Sequence, residues 1–114
     1  MISNFTVISN LMLFSIYCGR SIPATTQTVS ETEINEFFKS QSYLSYWTYI
    51  PCKGGWVDQK TKETIIENSF IVEFYTSDLE KDAPKVFEFA KLYKAKFKQD
   101  SVLVVENHET EYWI

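Results

Sequence analysis

The segment that most constrains the fold is Ile65–Tyr75, whose side chains alternate in character along the chain. Successive side chains of a β-strand point to opposite faces of the sheet, so a strand here has two distinct faces. One face is apolar apart from Asn68 and carries Ile66, Phe70, Val72 and Phe74. The other face mixes apolar and polar groups and carries Ile65, Glu67, Ser69, Ile71, Glu73 and Tyr75. The segment therefore predicts a sheet that helices cover on one side only.

Three further segments have the composition of strands. Residues 10–18 are nearly continuously apolar, which is typical of a strand in the interior of a sheet. Residues 43–50 are rich in aromatic and β-favouring residues, Pro51–Gly55 is predicted to be the turn that follows, and Gln59–Lys62 is predicted to be a second, polar turn. Residues 101–106 form another apolar strand. The tail, Asn107–Ile114, alternates enough to add a short edge strand.

Two segments have helical periodicity. Ser30 is a candidate N-cap with Glu33 at the capping-box spacing, and a short amphipathic helix follows. The second helix is predicted to be capped by Asp82, with Pro84 in its first turn and apolar residues at helical spacing as far as Phe97.

The predicted order is β-α-β-β-α-β, which is the split βαβ arrangement of ferredoxin-like α+β folds. Right-handed crossovers place both helices on the same face of the antiparallel sheet. No internal repeat or linker interrupts the chain, so residues 1–114 are predicted to form a single domain.

Composition and charge argue against nucleic-acid binding. The net charge is −4 with a pI near 5.0, and Arg20 is the one arginine among eleven basic residues. Proteins that hold phosphates use basic surfaces, often with arginine forks. Aromatic residues make up 17% of the chain, more than one small core requires, so some rings are expected to reach a second surface.

The N-terminal residues are predicted to be neither a leader nor a membrane span. No Lys or Arg precedes the apolar stretch, as it would in a signal peptide, and polar residues interrupt that stretch. The stretch is also too short to cross a bilayer. We expect a protein that is soluble, begins close to Met1, and is located in the cytoplasm, that of the host if the chain is viral.

The chain offers no set of residues typical of a metal site, and no cofactor is predicted. Cys18 and Cys52 form no C-x-x-C pair, and His108 is the single histidine. Together they fall short of a zinc ligand set unless several carboxylates join them. We expect two free thiols, with a disulfide as the alternative, and an exposed His108.

Several short motifs resemble one family. The run Tyr93-Lys94-x-Lys96-Phe97-x-Gln99-x-Ser101-Val102-Leu103 matches the Tyr-Lys-x-Arg/Lys-Phe-x-Gln-x-Ser-Val-Leu signature of the domain-of-unknown-function 3574 family, small proteins of phages and bacteria. Tyr17-Cys18-Gly19-Arg20-Ser21, Gly55-Trp56-x-Asp58 and Glu67-x-Ser69 are similar to other motifs of that family. Ser42–Tyr46 replaces the family's Pro-Arg-Phe-Pro-x-Gly stretch, so no ligand role of that arginine is carried over. The resemblance implies a ferredoxin-like fold and no known activity.

The uncovered face of the sheet is the predicted ligand site. Glu67, Ser69 and Glu73 lie on that face of the third strand, and segments with Tyr17, Arg20 and Trp56 approach it. Carboxylates, a hydroxyl, one arginine and rings beside apolar surface are typical of small-ligand pockets. The alternative interpretation is that Glu67 and Arg20 form a structural ion pair.

Two secondary candidates lie near the end of the second helix. Lys94 shares one side of that helix with Lys91 and Lys98, and is interpreted either as a phosphate contact or as a solvated partner of the helix dipole. Gln99 is interpreted either as a ligand contact or as a hydrogen-bonding residue of the turn.

These features favour a small self-associating binding protein, a phage or bacterial accessory factor. It is expected to form a homo-oligomer and to hold a small, nucleotide-like ligand or a partner protein on the uncovered face. One alternative is an acid/base enzyme that uses Glu67 with Tyr17 or Tyr75. Another is a structural protein that assembles through the tail from Glu109 to Ile114. With one histidine in the tail, a Ser-His-Asp arrangement is disfavoured.

Overall fold

Four strands and two helices alternate as predicted. The computed structural model describes residues 6–41 and 46–113. The elements are β1 (Thr6–Gly19), α1 (Glu31–Ser40), β2 (Thr48–Val57), β3 (Thr64–Thr76), α2 (Leu79–Lys96) and β4 (Leu103–Trp113). The strands form one antiparallel sheet in the order β2-β3-β1-β4. This confirms the ferredoxin-like α+β architecture, with β1 and β3 in the centre.

A single hydrophobic core lies between the sheet and the helices. Phe14 pairs with Phe74, Ile16 with Val72 and Cys18 with Phe70 across β1 and β3, and all six side chains are buried. These residues join one cluster with buried side chains from both helices. The helices contribute Ile34, Phe37, Phe38, Val86, Phe89, Ala90 and Tyr93. Both helices therefore cover the same side of the sheet, as the alternation of β3 predicted.

Helix α1 begins with the predicted capping box. The backbone N–H of Glu33 donates to the Ser30 hydroxyl at 3.1 Å, and the backbone N–H of Ser30 donates to the Glu33 carboxylate at 3.2 Å. Two N–H groups that no helical carbonyl can reach are thereby satisfied.

Helix α2 begins four residues earlier than predicted. Its N-cap is Asp78, whose carboxylate accepts from the backbone N–H of Lys81 at 3.2 Å. Asp82 instead lies within the helix, where its carboxylate accepts a hydrogen bond from the Thr76 hydroxyl. Pro84 is consequently inside the helix rather than in its first turn. Asp78 takes the capping role because β3 runs on to Thr76 and the helix follows directly.

Strand β2 is displaced along the chain from its predicted position. The predicted turn at Pro51–Gly55 is wrong, because this segment pairs with β3 within β2. The turn lies after Val57, where the carboxylate of Asp58 accepts from the backbone N–H groups of Lys60 and Thr61. Proline and glycine are tolerated here because β2 is an edge strand. Part of the predicted strand, residues 43–45, lies outside the described residues.

The first and last strands are longer than predicted. β1 begins at Thr6 rather than residue 10, and Thr6 pairs with Trp113 of β4. The tail was expected to add a separate edge strand, and it instead continues β4 as far as Trp113. Within the described ranges the sheet therefore has four strands.

Both cysteines are free, as predicted. Cys18 is buried in the core, and Cys52 is half-buried on the other side of the sheet, paired in register with Ser69. Across residues 6–41 and 46–113, no helix has the length and apolar character needed to cross a membrane.

Candidate functional site

The side of the sheet opposite the helices carries an apolar row that crosses all four strands. Ile50 pairs with Ile71, Ile71 with Tyr17, and Tyr17 with Leu103. Tyr17 is 42% exposed and Leu103 59% exposed. We call this side the open face, because no helix of the described chain covers it. It is the face that the sequence predicted to be uncovered.

Two adjoining cavities lie at the end of the open face where β1 stops. The smaller, of about 440 Å³, is lined by residues that include Tyr17, Gly19, Cys52 and Ser69. The larger, of about 680 Å³, continues past Trp56 to the loop after β1. Glu67, Gln99 and Ser101 line both cavities. We call the two cavities together the Gly19 groove.

Gly19 lets two side-chain oxygens converge on the floor of this groove. A Cβ atom at Gly19 would lie 2.9 Å from Gln99 Oε1 and 3.1 Å from Glu67 Oε1. Both distances are shorter than ordinary contacts, so any larger residue displaces one or both oxygens. Glycine is needed here for close approach and not for its backbone freedom, since no glycine of the described chain has a positive φ.

The amide of Gln99 is held in one orientation. Its Nε2 donates to the carbonyl of Ser21 at 3.0 Å and to the carbonyl of Phe97 at 3.1 Å. A glutamine amide has two N–H donors, so both are used, and Oε1 is presented toward Gly19 as an acceptor. The sequence left two interpretations of Gln99 open, a hydrogen-bonding residue of the turn or a ligand contact. Its Nε2 makes the hydrogen bonds of the turn, while its Oε1 faces the groove.

Arg20 does not pair with Glu67. Its guanidinium forms an ion pair with Glu31 of α1 at 3.1 Å and donates to the Val29 carbonyl at 2.9 Å. Successive side chains along a strand point to opposite faces of the sheet. Because Arg20 directly follows Gly19, which faces the groove, the side chain of Arg20 points toward the helices. The expected structural ion pair between Glu67 and Arg20 is therefore wrong, and Arg20 is not a lining residue of the groove.

Tyr93 of α2 supports the groove from the core side. Its hydroxyl donates to the carbonyl of Gly19 at 2.6 Å, and its ring is fully buried. Burial raises the pKa of the Tyr93 hydroxyl above its ordinary value, so the group stays protonated and remains a donor. The helix thus fixes the backbone at the point where the two oxygens converge.

Replacing Tyr93 with phenylalanine is expected to lower the free energy of unfolding by about 1–3 kcal/mol, because the partly buried Gly19 carbonyl loses its partner. Urea denaturation followed by circular dichroism measures this loss. The matched control is Tyr17→Phe on the open face, where the expected change is within about 0.5 kcal/mol. Equal losses in the two variants would contradict the role assigned to the Tyr93 hydroxyl.

The structure brings most of the predicted site residues together. Tyr17, Glu67, Ser69 and Gln99 line the smaller cavity, and Trp56 lines the larger. The outliers are Arg20, Glu73 and Lys94, none of which lines either cavity. Glu73 lies further along the open face, beside Ser15 and Thr48, and lines neither cavity. Lys94 is exposed on α2, outside the groove.

Sequence reasoning missed several lining residues, chiefly Gly19, Cys52, Lys53, Ser101 and Leu103. Gly19 had a usable signal, since an isolated glycine at the end of an apolar strand indicates that another group approaches the backbone closely. Cys52 and Lys53 were hidden because the segment that contains them was predicted to be a turn.

The topology and the groove define a class, which is a ferredoxin-like α+β domain whose open face holds a cavity of small-molecule size. More particularly, the chain belongs to the DUF3574 family of proteins of unknown function, whose model matches residues 14–112. This confirms the membership that the motifs indicated. No curated protein matches the sequence.

Solved structures confirm the fold. A phage SAM lyase in complex with S-methyl-5′-thioadenosine has a TM-score of 0.69 and 18% sequence identity, covering 91% of this chain and 89% of the lyase chain. The apo state of a phage SAM lyase has a TM-score of 0.67, also at 18% identity, covering 89% and 86%. A GlnK–ATP complex from B. subtilis has a TM-score of 0.54 and 16% identity, covering 90% and 94%.

Proposed function

We propose that this protein binds a small adenosine-containing molecule in the Gly19 groove. The observation that carries the proposal is the convergence of the Glu67 and Gln99 oxygens over Gly19, inside a cavity beside exposed rings. Two acceptors facing one open space suit a ligand that supplies hydrogen-bond donors. Two of the similar folds hold adenosine compounds, S-methyl-5′-thioadenosine in one and ATP in the other, which supports this ligand class.

The charge of the groove favours a neutral or cationic adenosine compound over a nucleoside triphosphate. Among the described residues that line the two cavities, Lys53 is the single basic one, and Glu67 and Asp100 are acidic. A triphosphate is ordinarily held by several cationic groups or by backbone N–H groups of a glycine-rich loop. S-adenosylmethionine and its thioether products therefore fit better than ATP.

Two exposed rings supply surfaces for a flat base. Trp56 is 52% exposed at the larger cavity, and Tyr17 stands at the smaller one. Stacking of a nucleobase on an aromatic ring contributes about 1–3 kcal/mol per base. In this arrangement one ring holds the adenine while Glu67 and Gln99 accept from the remainder of the ligand.

Self-association on the open face forms part of the proposal. The apolar row Ile50–Ile71–Tyr17–Leu103 borders the groove, and a second copy packed on it would both bury these side chains and narrow the opening. Two free thiols are typical of a reducing compartment, so we place this phage or bacterial accessory protein in the cytoplasm, that of the host if the chain is viral.

The test uses Cys52, a lining residue of the smaller cavity, as a built-in reporter. At a ligand concentration of about ten times Kd, alkylation of Cys52 by iodoacetamide is expected to slow about tenfold, because only the free protein reacts. S-adenosylmethionine and S-methyl-5′-thioadenosine are the ligands, and ATP is the comparison. Cys18 is an internal control, since its burial keeps the thiol unreactive and raises its pKa.

Unchanged labelling of Cys52 with every adenosine compound, together with no heat in calorimetric titrations, would refute the proposed function. Labelling of Cys18 in the native protein would show instead that the core opens under the conditions used, which a lower temperature corrects.

A second candidate is an enzyme that cleaves S-adenosylmethionine. It is favoured by one observation, namely that Tyr17 and Glu67, a titratable pair expected from the sequence, line the same cavity. Tyr75, the other expected partner of Glu67, pairs with Leu13 further along the sheet and does not line the groove. Chromatography of S-adenosylmethionine incubated with the protein tests this candidate. Release of S-methyl-5′-thioadenosine that Glu67→Gln abolishes supports it, and an unchanged substrate excludes it.

A further inference from the structure

We infer that the Glu67–Gln99 acceptor pair selects a protonated amine, so that the groove prefers adenosine compounds carrying an amino-acid side chain to neutral nucleosides. This inference rests on the proposed function and names the part of the ligand that the pair recognises. The observations behind it are the positions of the two oxygens, the fixed amide of Gln99 and the charge of the surrounding residues.

The geometry matches one shared donor. Gln99 Oε1 and Glu67 Oε1 lie 2.9 Å and 3.1 Å from the position that a Cβ atom of residue 19 would take. The two oxygens are therefore no more than about 6 Å apart. A single nitrogen at about 2.9 Å from both oxygens spans such a gap with ordinary hydrogen bonds. An ammonium group has three N–H donors in a compact tetrahedral arrangement and can point one at each oxygen.

Within the part of the chain that the structure describes, no side chain forms a hydrogen bond with the two oxygens of the pair. Both N–H groups of Gln99 are used by the carbonyls of Ser21 and Phe97, so its amide cannot turn to donate to Glu67. Within residues 6–41 and 46–113, Glu67 has no ion pair, and Arg20 is engaged with Glu31. The site therefore presents two acceptors to the groove, one of them a carboxylate without an ion-pair partner, and Lys53 is the single basic residue among the described lining residues.

Charge distinguishes an amine from the ribose hydroxyls, which are the other donors of an adenosine ligand. A diol satisfies two acceptors but leaves the half-buried carboxylate of Glu67 unneutralised. An ammonium satisfies both acceptors and also brings the opposite charge, so it adds the attraction of an ion pair to a hydrogen bond that either donor can make to the carboxylate. The further acidic residue Asp100 at the larger cavity adds to the preference for a cation.

Gln99 is a positioning and specificity residue in this scheme. A glutamate at this position would turn a carboxylate oxygen toward the two carbonyls that Nε2 now contacts, so the amide is needed to keep Oε1 facing Gly19. Gln99→Met keeps the approximate length of the side chain and removes the acceptor, which makes it the variant of choice for this residue.

The experiment compares three ligands by isothermal titration calorimetry. S-adenosylmethionine has a sulfonium, an α-ammonium and an α-carboxylate, S-adenosylhomocysteine has the ammonium and the carboxylate without the sulfonium, and S-methyl-5′-thioadenosine has none of the three. The wild-type protein is expected to bind both amine-bearing ligands at least about tenfold more tightly than S-methyl-5′-thioadenosine, as a charge-assisted hydrogen bond implies. Glu67→Gln is expected to remove this preference, by lowering the affinity for the two amine-bearing ligands more than the affinity for S-methyl-5′-thioadenosine.

The matched control is Glu73→Gln, the same change on the same face of β3 but outside the groove. It is expected to leave all three affinities unchanged. Gln99→Met is expected to reduce the preference by about three- to tenfold, because one of two acceptors remains. Circular dichroism of each variant verifies that the sheet and helices are retained.

The other outcomes overturn the inference in distinguishable ways. Equal affinities of the wild-type protein for all three ligands refute it and leave the proposed function standing. An equal loss for all ligands in Glu67→Gln shows that the pair holds the shared ribose hydroxyls instead. If S-adenosylmethionine binds tightly and the other two ligands do not, the Glu67–Gln99 pair recognises the sulfonium and not the amine. Failure of every ligand to bind refutes the proposed function as well.

Discussion

Replacing Gly19 with valine is expected to lower the affinity for adenosine ligands by about 100-fold or more, which corresponds to about 2.7 kcal/mol. The added Cβ would stand 2.9 Å from Gln99 Oε1 and 3.1 Å from Glu67 Oε1. The two side chains must then swing away, and Gln99 can do so only by breaking its bonds to Ser21 and Phe97. The two γ-methyl groups would also fill part of the floor of the groove in which we propose that the ligand binds.

The fold is expected to survive this change. The atoms that the new side chain meets belong to the ends of side chains, and Gly19 has no positive φ that valine would strain. Calorimetric titration measures the affinity, and a thermal melt by circular dichroism verifies the fold. The control is Gly55→Val on the neighbouring edge strand, where a Cβ would meet nothing closer than the Ile65 carbonyl at 3.6 Å. A folded Gly19→Val variant with unchanged affinity would contradict the assigned site.

Replacing Phe37 with alanine is expected to lower the free energy of unfolding by about 3–5 kcal/mol. The Phe37 ring packs edge-on against three rings of the second helix and its C-cap, with centroid distances of 5.1 Å to Phe89, 5.7 Å to Tyr93 and 5.9 Å to Phe97. Its loss leaves a cavity at the junction of α1 and α2. This is a large part of the total stability of a small domain, about 5–15 kcal/mol.

Urea denaturation measures the effect, and Glu36→Ala is the matched control on the same helix. Glu36 is exposed and makes one ion pair with Lys39 at 3.8 Å, so a change of no more than about 0.5 kcal/mol is expected. A loss below about 1 kcal/mol in Phe37→Ala would mean that α1 contributes little to the core, contrary to the burial of its apolar face.

The sequence predicted correctly those features of the fold that depend on a local pattern of residues. The alternation of β3 separated Phe70, Val72 and Phe74 from Glu67 and Ser69, and the structure places these two groups on opposite sides of the sheet. The capping box at Ser30 and Glu33 likewise depends on neighbouring residues alone. Such features need no knowledge of the rest of the chain.

Boundaries that depend on pairing were harder to predict. Pro51, Gly54 and Gly55 are turn-forming residues by local preference, yet they pair with β3 because β2 lies at the edge of the sheet. The start of α2 depends on how far β3 extends, which decides whether Asp78 or Asp82 becomes the cap. In both cases the partner strand overrides the local signal.

The sequence predicted the strand residues of the site correctly, but it did not predict that Gly19 forms the floor of the groove. The alternation of side chains along a strand is enough to predict that Glu67, Ser69 and Tyr17 lie on the open face. The same alternation along β1 would have placed the side chain of Arg20 on the side of the helices. The role of Gly19 depends on Glu67, Gln99 and Tyr93, which are far away in the sequence and meet only in the fold. No local pattern shows that Gln99 is fixed by two carbonyls.

The most direct measurement is an amide-detected NMR titration of the full chain with S-adenosylhomocysteine, which is chemically stable and carries the amine. We expect shifts concentrated on the amides of Gly19, Glu67, Ser69, Gln99 and Ser101, the residues around the Gly19 groove. Residues of α1 that face away, such as Glu36, are expected to stay unchanged. Saturable shifts confined to the aromatic cleft of Phe38, Trp47 and Tyr49 on the other side of the sheet, or no shifts at all, would contradict the assignment of the open face as the ligand site.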